Sequence, residues 1–391
     1  MNCELNKFAM KKICFVTTIG GTIKAFLVEL SQYLVEKEGY DVTFISDTDE
    51  SLYEFTNEHI HYIPVPMKRG IAFDGLRVIW QLYKIFKREK FDIVQYSTKN
   101  ASTYASIAAW MAGIKCRLYC QWGMMFIALH GFKRMLLKAD EKLVAGLSTV
   151  IETESFSIYE EAVKHGVYPK EKSSVIWNGS ACGVRLQNYD MSRKSEWRRE
   201  IRERFSIPEE AVVFGYCGRL TRDKGLNELL AAFKRVSENR NAYLMLIGSY
   251  DNAESIDQKL LDWAKHSKNV VFPGRVNDVP RYYSALDVFM SLSYREGFGL
   301  VVIEAAAMGV PGIVTNVPGQ RDTTIDGVTG VLVPSHDVDD VVKAMEFYID
   351  NPEKCVEYGV NSRRNVEDNY EQGELFRRLA EHRNELIGKN S

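Results

Sequence analysis

Neither sign of charge dominates this 391-residue chain. Its 50 lysines and arginines stand against 52 aspartates and glutamates, a formal net charge of -2 at pH 7. That balance removes the electrostatic reason to expect nucleic acid as a partner. Cysteine is sparse: seven residues, at positions 3, 14, 116, 120, 182, 217 and 355, follow no pairing pattern. An odd, scattered set in a large chain excludes a disulfide framework. Cys116 and Cys120 could share a helix face, but no Cys or His follows at zinc spacing and the segment reads as strand, so no metal centre is expected. Long apolar runs are missing as well. The opening "MNCELNKFAM" has no apolar core of signal-peptide length, and no stretch approaches the ~20 residues that span a bilayer. A cytoplasmic protein is expected.

What is present is repetition of one unit. "KKICFVTT" (11–18) reads as a strand and "TIKAFLVELSQYLVEK" (22–37) as a helix striped by Phe26, Leu27, Leu30, Tyr33 and Leu34. Strands "DVTFIS" (41–46), "FDIVQYS" (91–97) and "KCRLYCQW" (115–122) follow, with the helix "STYASIAAWMAG" (102–113) between the last two. The alternation predicts a mostly parallel sheet covered by helices. It pauses across 178–210, a polar and charged segment that reads as a linker plus an exposed helix. It then restarts with strands at 211–218, 242–248, 269–274, 286–293 and 311–315. A restart after a polar break predicts an α/β fold of two doubly wound Rossmann-like domains, with ligands beyond the carboxyl ends of the strands, in the cleft between them. A terminal helix, 373–388, closes the chain.

Two stretches carry chemistry. In "SYREGFGLVVIEAAAMGVPGIVT" (293–315), Gly297 and Gly299 separate a strand from a helix that begins near Leu300. Such a turn offers free backbone N–H groups at the positive end of a helix, which suits a phosphate. Glu296 lies in the turn. Glu304 falls a turn into the helix among Val, Ile and Ala, where an unpaired carboxylate costs several kcal/mol, roughly. Either a ribose diol or an arginine partner would satisfy it, and the sequence leaves both open. In "GYCGRLTRDKGLNELLAAF" (215–233), Arg219 and Lys224 flank the end of a strand. They read either as solvated surface charges, the more frequent outcome for such a pair, or as a clamp for a diphosphate.

"EGFGLVVIEAAAMGVP", with its Glu-x7-Glu spacing, and "GRLTRDKG" together resemble the family 4 retaining glycosyltransferases of the GT-B fold. "TTIGGTIKAFL" and the segment 155–184 are similar to the bacterial capsular and lipid-linked polysaccharide members. The resemblance implies transfer of a sugar from a nucleotide-sugar donor, UDP-linked, to a saccharide or lipid-linked saccharide acceptor, without metal or other cofactor. It implies an acceptor-side domain over 1–187, a donor-binding domain over 188–366 and a terminal helix, 367–391, returning toward the first. Arg219 and Lys224 would hold the diphosphate, Glu304 the ribose, and Glu296 the transferred sugar or the charge developing at its anomeric carbon. The backbone of Gly297, Phe298, Gly299 and Leu300 would cradle sugar and phosphate. Gly20 and Gly21 would let the N-terminal domain approach the donor, and Arg275 and Val276 would flank the base. Where many relatives carry a histidine or arginine, this chain has Trp122, which reads as core or as a platform for a sugar ring. That replacement leaves a second reading open, a non-catalytic sugar-nucleotide-binding protein. His130, nearby, reads as a packed or exposed side chain. The "GVR" at 183–185 puts Arg185 where an acidic residue is usual.

Two further features have competing readings. "DTD" (47–49) resembles both a metal-binding Asp-x-Asp and the ribose-binding acid of nicotinamide enzymes. "TIGGTIKAF" is not Gly-x-Gly-x-x-Gly, however, and acids after a strand commonly cap a turn. The segment 67–90 mixes Leu76, Ile79, Leu82, Tyr83 and Phe86 with Lys68, Arg69, Arg77, Lys84, Lys87, Arg88 and Lys90. It reads first as a crossover helix, and second as a surface for peripheral contact with the inner membrane face.

Overall fold

A computed structural model describes residues 10–68, 74–249 and 255–390. Cys3, Arg69 and most of the opening segment lie outside them. Seven strands form the first sheet: β1 (Lys11–Val16), β2 (Tyr40–Ser46), β3 (Ile60–Pro64), β4 (Ile93–Tyr96), β5 (Cys116–Gln121), β6 (Val150–Thr153) and β7 (Ser173–Val175). Their order is β3-β2-β1-β4-β5-β6-β7, parallel throughout. Six form the second: β8 (Val212–Cys217), β9 (Ala242–Ile247), β10 (Val270–Gly274), β11 (Val288–Ser291), β12 (Gly312–Thr315) and β13 (Gly330–Val333), in the order β10-β9-β8-β11-β12-β13, again parallel. Both are doubly wound, as the strand–helix alternation predicts.

Parallel strands covered on both faces need apolar residues at every position. In β1, Ile13 and Phe15 enter one core while Cys14 and Val16 enter the other. In β9, Leu244 and Leu246 point to one side of the second sheet and Met245 and Ile247 to the other. This is why the strands read as short apolar runs rather than as alternating patterns.

Three local expectations are corrected. The helix expected over 22–37 is divided into two, Gly20–Phe26 and Val28–Glu38, by a kink at Leu27 (φ -119°), through which the Leu27 N–H still bonds to Ile23 O at 2.8 Å while its side chain stays buried. The helix of the polar segment, Lys194–Arg204, is not simply exposed: it buries Trp197, Ile201 and Arg202. Arg202 donates to Asp287 Oδ2 at 2.8 Å and to the carbonyls of Glu209 and Ala211, so its stem fills core while its head is fully paired. The crossover helix Gly75–Glu89 buries Val78, Leu82, Ile85 and Phe86, yet Leu76 at its start is 83% exposed and Trp80 also faces out.

The chain crosses between the sheets after β7 and again near residue 370, and the two crossings lie side by side. Val184 N–H donates to Tyr370 O at 2.8 Å and Gln372 N–H to Val184 O at 3.0 Å. The last helix, Gln372–Asn390, then lays Leu375, Phe376, Leu379 and Ala380 into the core of the first sheet, against the layer holding Ile13 and Phe15. No helix among the described residues is long and apolar enough to cross a membrane.

Candidate functional site

Each sheet reverses its strand order once, between β1 and β4 in the first and between β8 and β11 in the second. Loops leaving neighbouring strands at a reversal diverge to opposite faces and open a crevice at the carboxyl ends. A cavity of about 430 Å³ occupies the space where the two sheets meet. Its lining draws on both domains: Thr98 and Lys99 after β4, Trp122, Gly123 and Met124 after β5, Arg219 after β8, Lys224 beyond it, and Glu296 and Gly297 after β11.

On the C-terminal wall the two motifs meet. Lys224 Nζ lies 2.5 Å from Glu296 Oε1, both side chains about one-fifth exposed, and Ser293 Oγ donates to the same oxygen at 2.8 Å. Arg219 is exposed and, among the described residues, makes no ion pair, so its guanidinium stays available at the cavity. Gly299 sits at φ 93° and opens the helix Leu300–Ala307, a conformation that costs a β-carbon dearly. Gly297 is needed for closeness instead. A Cβ there would stand 2.9 Å from Glu154 Oε2 and 3.0 Å from Gly123 N, both belonging to the N-terminal domain. The glycine turn is therefore one place where the two domains touch.

The N-terminal wall holds acids that the sequence reading missed. Glu141, on the helix Gly131–Leu147, accepts from Tyr119 Oη at 3.0 Å and from Tyr168 Oη at 2.9 Å, both on Oε2. Burial pushes its carboxyl up to about 7, against the two tyrosine bonds, which favour ionisation. Next to it, Asp140 accepts from Thr103 Oγ1 at 2.9 Å. Burial, and then the neighbouring charge of Glu296, raises Glu154 well above the carboxylate range.

The raised Glu141 makes a prediction. Below the unfolded value near 4.5 both states hold the proton and nothing is lost. As pH rises toward about 7 the unfolded chain releases it and the native state does not, so stability falls, by an order of ~3 kcal/mol in all. Glu141→Gln keeps an oxygen for both tyrosines and removes the penalty. Its melting temperature should exceed that of the wild type at pH 8, with the gap narrowing toward pH 5. A gap independent of pH would show that Glu141 is not held protonated.

Phe298 is buried against Tyr370, ring centroids 5.3 Å apart, so only its backbone faces the turn. Leu300 packs between the two cores. Glu304 finds no arginine among the described residues: its Oε2 accepts from Tyr283 Oη at 3.3 Å, and burial raises its carboxyl. Arg275 and Val276 do not line the cavity that holds Lys224 and Glu296; they line another, of about 480 Å³, with Glu200 and Tyr282. Gly20 yields space to its own domain, since a Cβ there would lie 2.4 Å from Asp49 Oδ2. Gly21 meets only Ile19, at 3.9 Å. Trp122 packs on Phe26 (5.3 Å) and also lines the cleft, so it serves as core and as wall at once. His130 is exposed and precedes the helix Gly131–Leu147. Arg185 pairs with Glu29 at 3.2 Å. Asp49 pairs with Lys24 and caps the turn Glu50–Phe55, the role expected of an acid after a strand.

With this geometry the comparisons agree. Residues 198–365 match the family described as glycosyl transferases group 1, and residues 23–180 match glycosyltransferase family 4. The chain is 30% identical over 372 residues to the capsular polysaccharide biosynthesis glycosyltransferase CapM of Staphylococcus aureus, covering 94% of this chain and 96% of that one. Among solved structures, a glycosyltransferase from Rickettsia africae superposes with a TM-score of 0.80 at 19% identity, over 98% of this chain and all of the other. Anabaena HepE, solved in complex with UDP, superposes at 0.77 and 17% identity, over 96% of this chain and all of the other. Two facing Rossmann-like sheets, the Glu-x7-Glu turn beside a basic pair on one wall of the cleft, and these matches assign the chain to the family 4 glycosyltransferases of the GT-B fold.

Proposed function

We propose that the protein is a cytoplasmic, retaining, metal-independent glycosyltransferase that moves a sugar from a UDP-sugar to a saccharide acceptor in capsule or related lipid-linked glycan assembly. One observation carries this reading: a single interdomain cavity in which Arg219, Lys224 and the glycine turn stand on one wall and a polar, aromatic surface stands on the other. The cations and the free N–H groups of the turn suit a diphosphate, and a site that supplies positive charge itself does not require a metal ion to do so. Among the described residues, no backbone bond engages the N–H of Gly297, Phe298, Gly299 or Leu300. A bound anion would satisfy them.

In this reading Lys224 turns to phosphate and Glu296, still held by Ser293, faces the anomeric centre of a retaining reaction. UDP in the HepE structure supports the base, and the name of the CapM relative supports the capsule context. Unpaired thiols at the six described cysteines suit a reducing compartment. For a lipid-linked acceptor, exposed Leu76, Trp80, Phe132 and Met135, interleaved with Arg77, Lys84, Lys133 and Arg134, support contact with anionic lipid.

The test is thermal shift against UDP-, GDP- and ADP-linked sugars in EDTA. At a hundred times the dissociation constant a true donor stabilises by about 2.7 kcal/mol. A UDP-sugar should raise the melting temperature, and NMR of the product formed with that donor should show an unchanged anomeric configuration. A response that needs manganese, or an inverted product, would overturn the corresponding part.

A further inference from the structure

The corner that follows β6 reaches across to the donor domain at three points. Ser155 Oγ donates to Gly297 O at 3.0 Å. Ser157 Oγ accepts from Gly319 N at 2.7 Å, and Ser157 N donates to Asp322 Oδ2 at 2.8 Å. Both serine side chains are buried, Ser155 at 0% and Ser157 at 3%. The receiving side is equally tight. A Cβ on Gly319 would fall 2.4 Å from Glu296 O and 2.6 Å from Gly297 O. The segment Glu296–Gly297 is thus pressed between Gly319 on one side and Glu154 and Gly123 on the other.

Ser155 has one proton to give, and it goes to Gly297; a lone pair meanwhile caps the helix Phe156–Lys164 through Ile158 N–H. Fixing the Gly297 carbonyl fixes the peptide plane to Phe298, because that bond is rigid and its N–H lies opposite the C=O. The direction of the Phe298 N–H is therefore set by a side chain of the other domain.

We propose that Ser155 is a positioning residue of the donor site, holding the glycine turn in its ligand-binding shape from across the cleft. The assignment rests on the reading that this turn receives the donor diphosphate and sugar. It makes the site a product of both domains, so that a change in their mutual orientation reshapes the turn itself as well as the width of the cleft.

Ser155→Gly separates this role from helix capping, since glycine is tolerated at an N-cap almost as well as serine. Ser155→Thr keeps the hydroxyl. In the ligand-free protein, exchange of the Val302 amide, which bonds to Gly299 O at 2.9 Å, should quicken about tenfold in Ser155→Gly once the turn loosens, the scale of one net hydrogen bond. By calorimetry, UDP should bind that variant about tenfold more weakly, by the same loss, with the melting temperature little changed. Ser155→Thr should restore both readings. Unchanged exchange or unchanged UDP affinity in Ser155→Gly overturns the proposal. A wild-type protein that fails to bind UDP would instead overturn the donor reading, while exchange still decides whether Ser155 holds the turn.

Discussion

Lys224→Ala should lower turnover, followed as release of nucleoside diphosphate from the donor, by about 10²–10³-fold while leaving the protein folded. Two effects compete at this residue. The lysine holds Glu296 in the free protein, and it would meet the charge that grows on the departing diphosphate. The first is small. Both partners are about one-fifth exposed, and an ion pair so screened contributes ~1 kcal/mol or less. The second belongs to the proposed reaction, in which the domains close on the donor and exclude water, and there a fixed cation opposite a developing anion is worth several times more. On the proposed function Lys224 exchanges partners, from Glu296 to phosphate, and the weakness of the first contact makes the exchange cheap. Once it leaves, Glu296 is held by Ser293 and free to face the sugar. The expected signature is a fall in kcat larger than any rise in KM. Turnover within about threefold of wild type would remove Lys224 from the chemistry.

The residues that sequence reading placed in this cleft were those whose role is written locally. A Gly-x-Gly between a strand and a helix needs its glycines for backbone reasons that show in a short window, and Arg219 and Lys224 follow a strand within the same loop. Most strands of both sheets were legible in the same way, because buried parallel strands are continuous apolar runs; their spatial order was not. The partners from the other wall were not. Asp140 and Glu141 sit in "LLKADEKLV", which in isolation is an ordinary charged helix face; only β5 and Tyr168, brought in from either side, turn Glu141 inward. Ser155 caps the helix that follows it, and nothing nearby signals its second bond to Gly297, 142 residues away. Glu304 was legible as a buried acid but not as the partner of Tyr283. Short strands such as β7, three residues long, fell below the length at which a pattern can be told from a loop.

Removing the Arg383 guanidinium should destabilise the fold severely. Arg383, 1% exposed on the last helix, meets Glu152 of β6 through two parallel bonds of 2.6 and 2.7 Å and also donates to Gln95 at 3.0 Å. His382 Nδ1 lies 2.6 Å from the same carboxylate. Burial alone would raise the Glu152 carboxyl, but the charges and hydrogen bonds of Arg383 and His382 outweigh it and hold it down at about 2. A bidentate pair with its remaining acceptors engaged tolerates burial; one member left alone does not. Arg383→Met keeps the stem's volume and leaves the buried Glu152 with only His382 and the weak Cys120 donor, a loss of ~3–5 kcal/mol. It also unfastens the helix Gln372–Asn390 from the first sheet. That helix is the return strap of a chain that crosses twice between the domains, so their orientation should loosen with it. Replacing both partners, Glu152→Leu with Arg383→Met, should recover much of the loss, since paired apolar replacements of buried ion pairs are often neutral. The wild-type contribution should be full above about pH 4.5 and decline as pH falls toward 2, because the native carboxylate must then be protonated against its partners. Denaturant unfolding of the two variants, followed by a probe in the first domain, decides it. A loss below ~1 kcal/mol in Arg383→Met, or simple additivity in the pair, would mean that the last helix is held by Leu375, Phe376 and Leu379 rather than by charge.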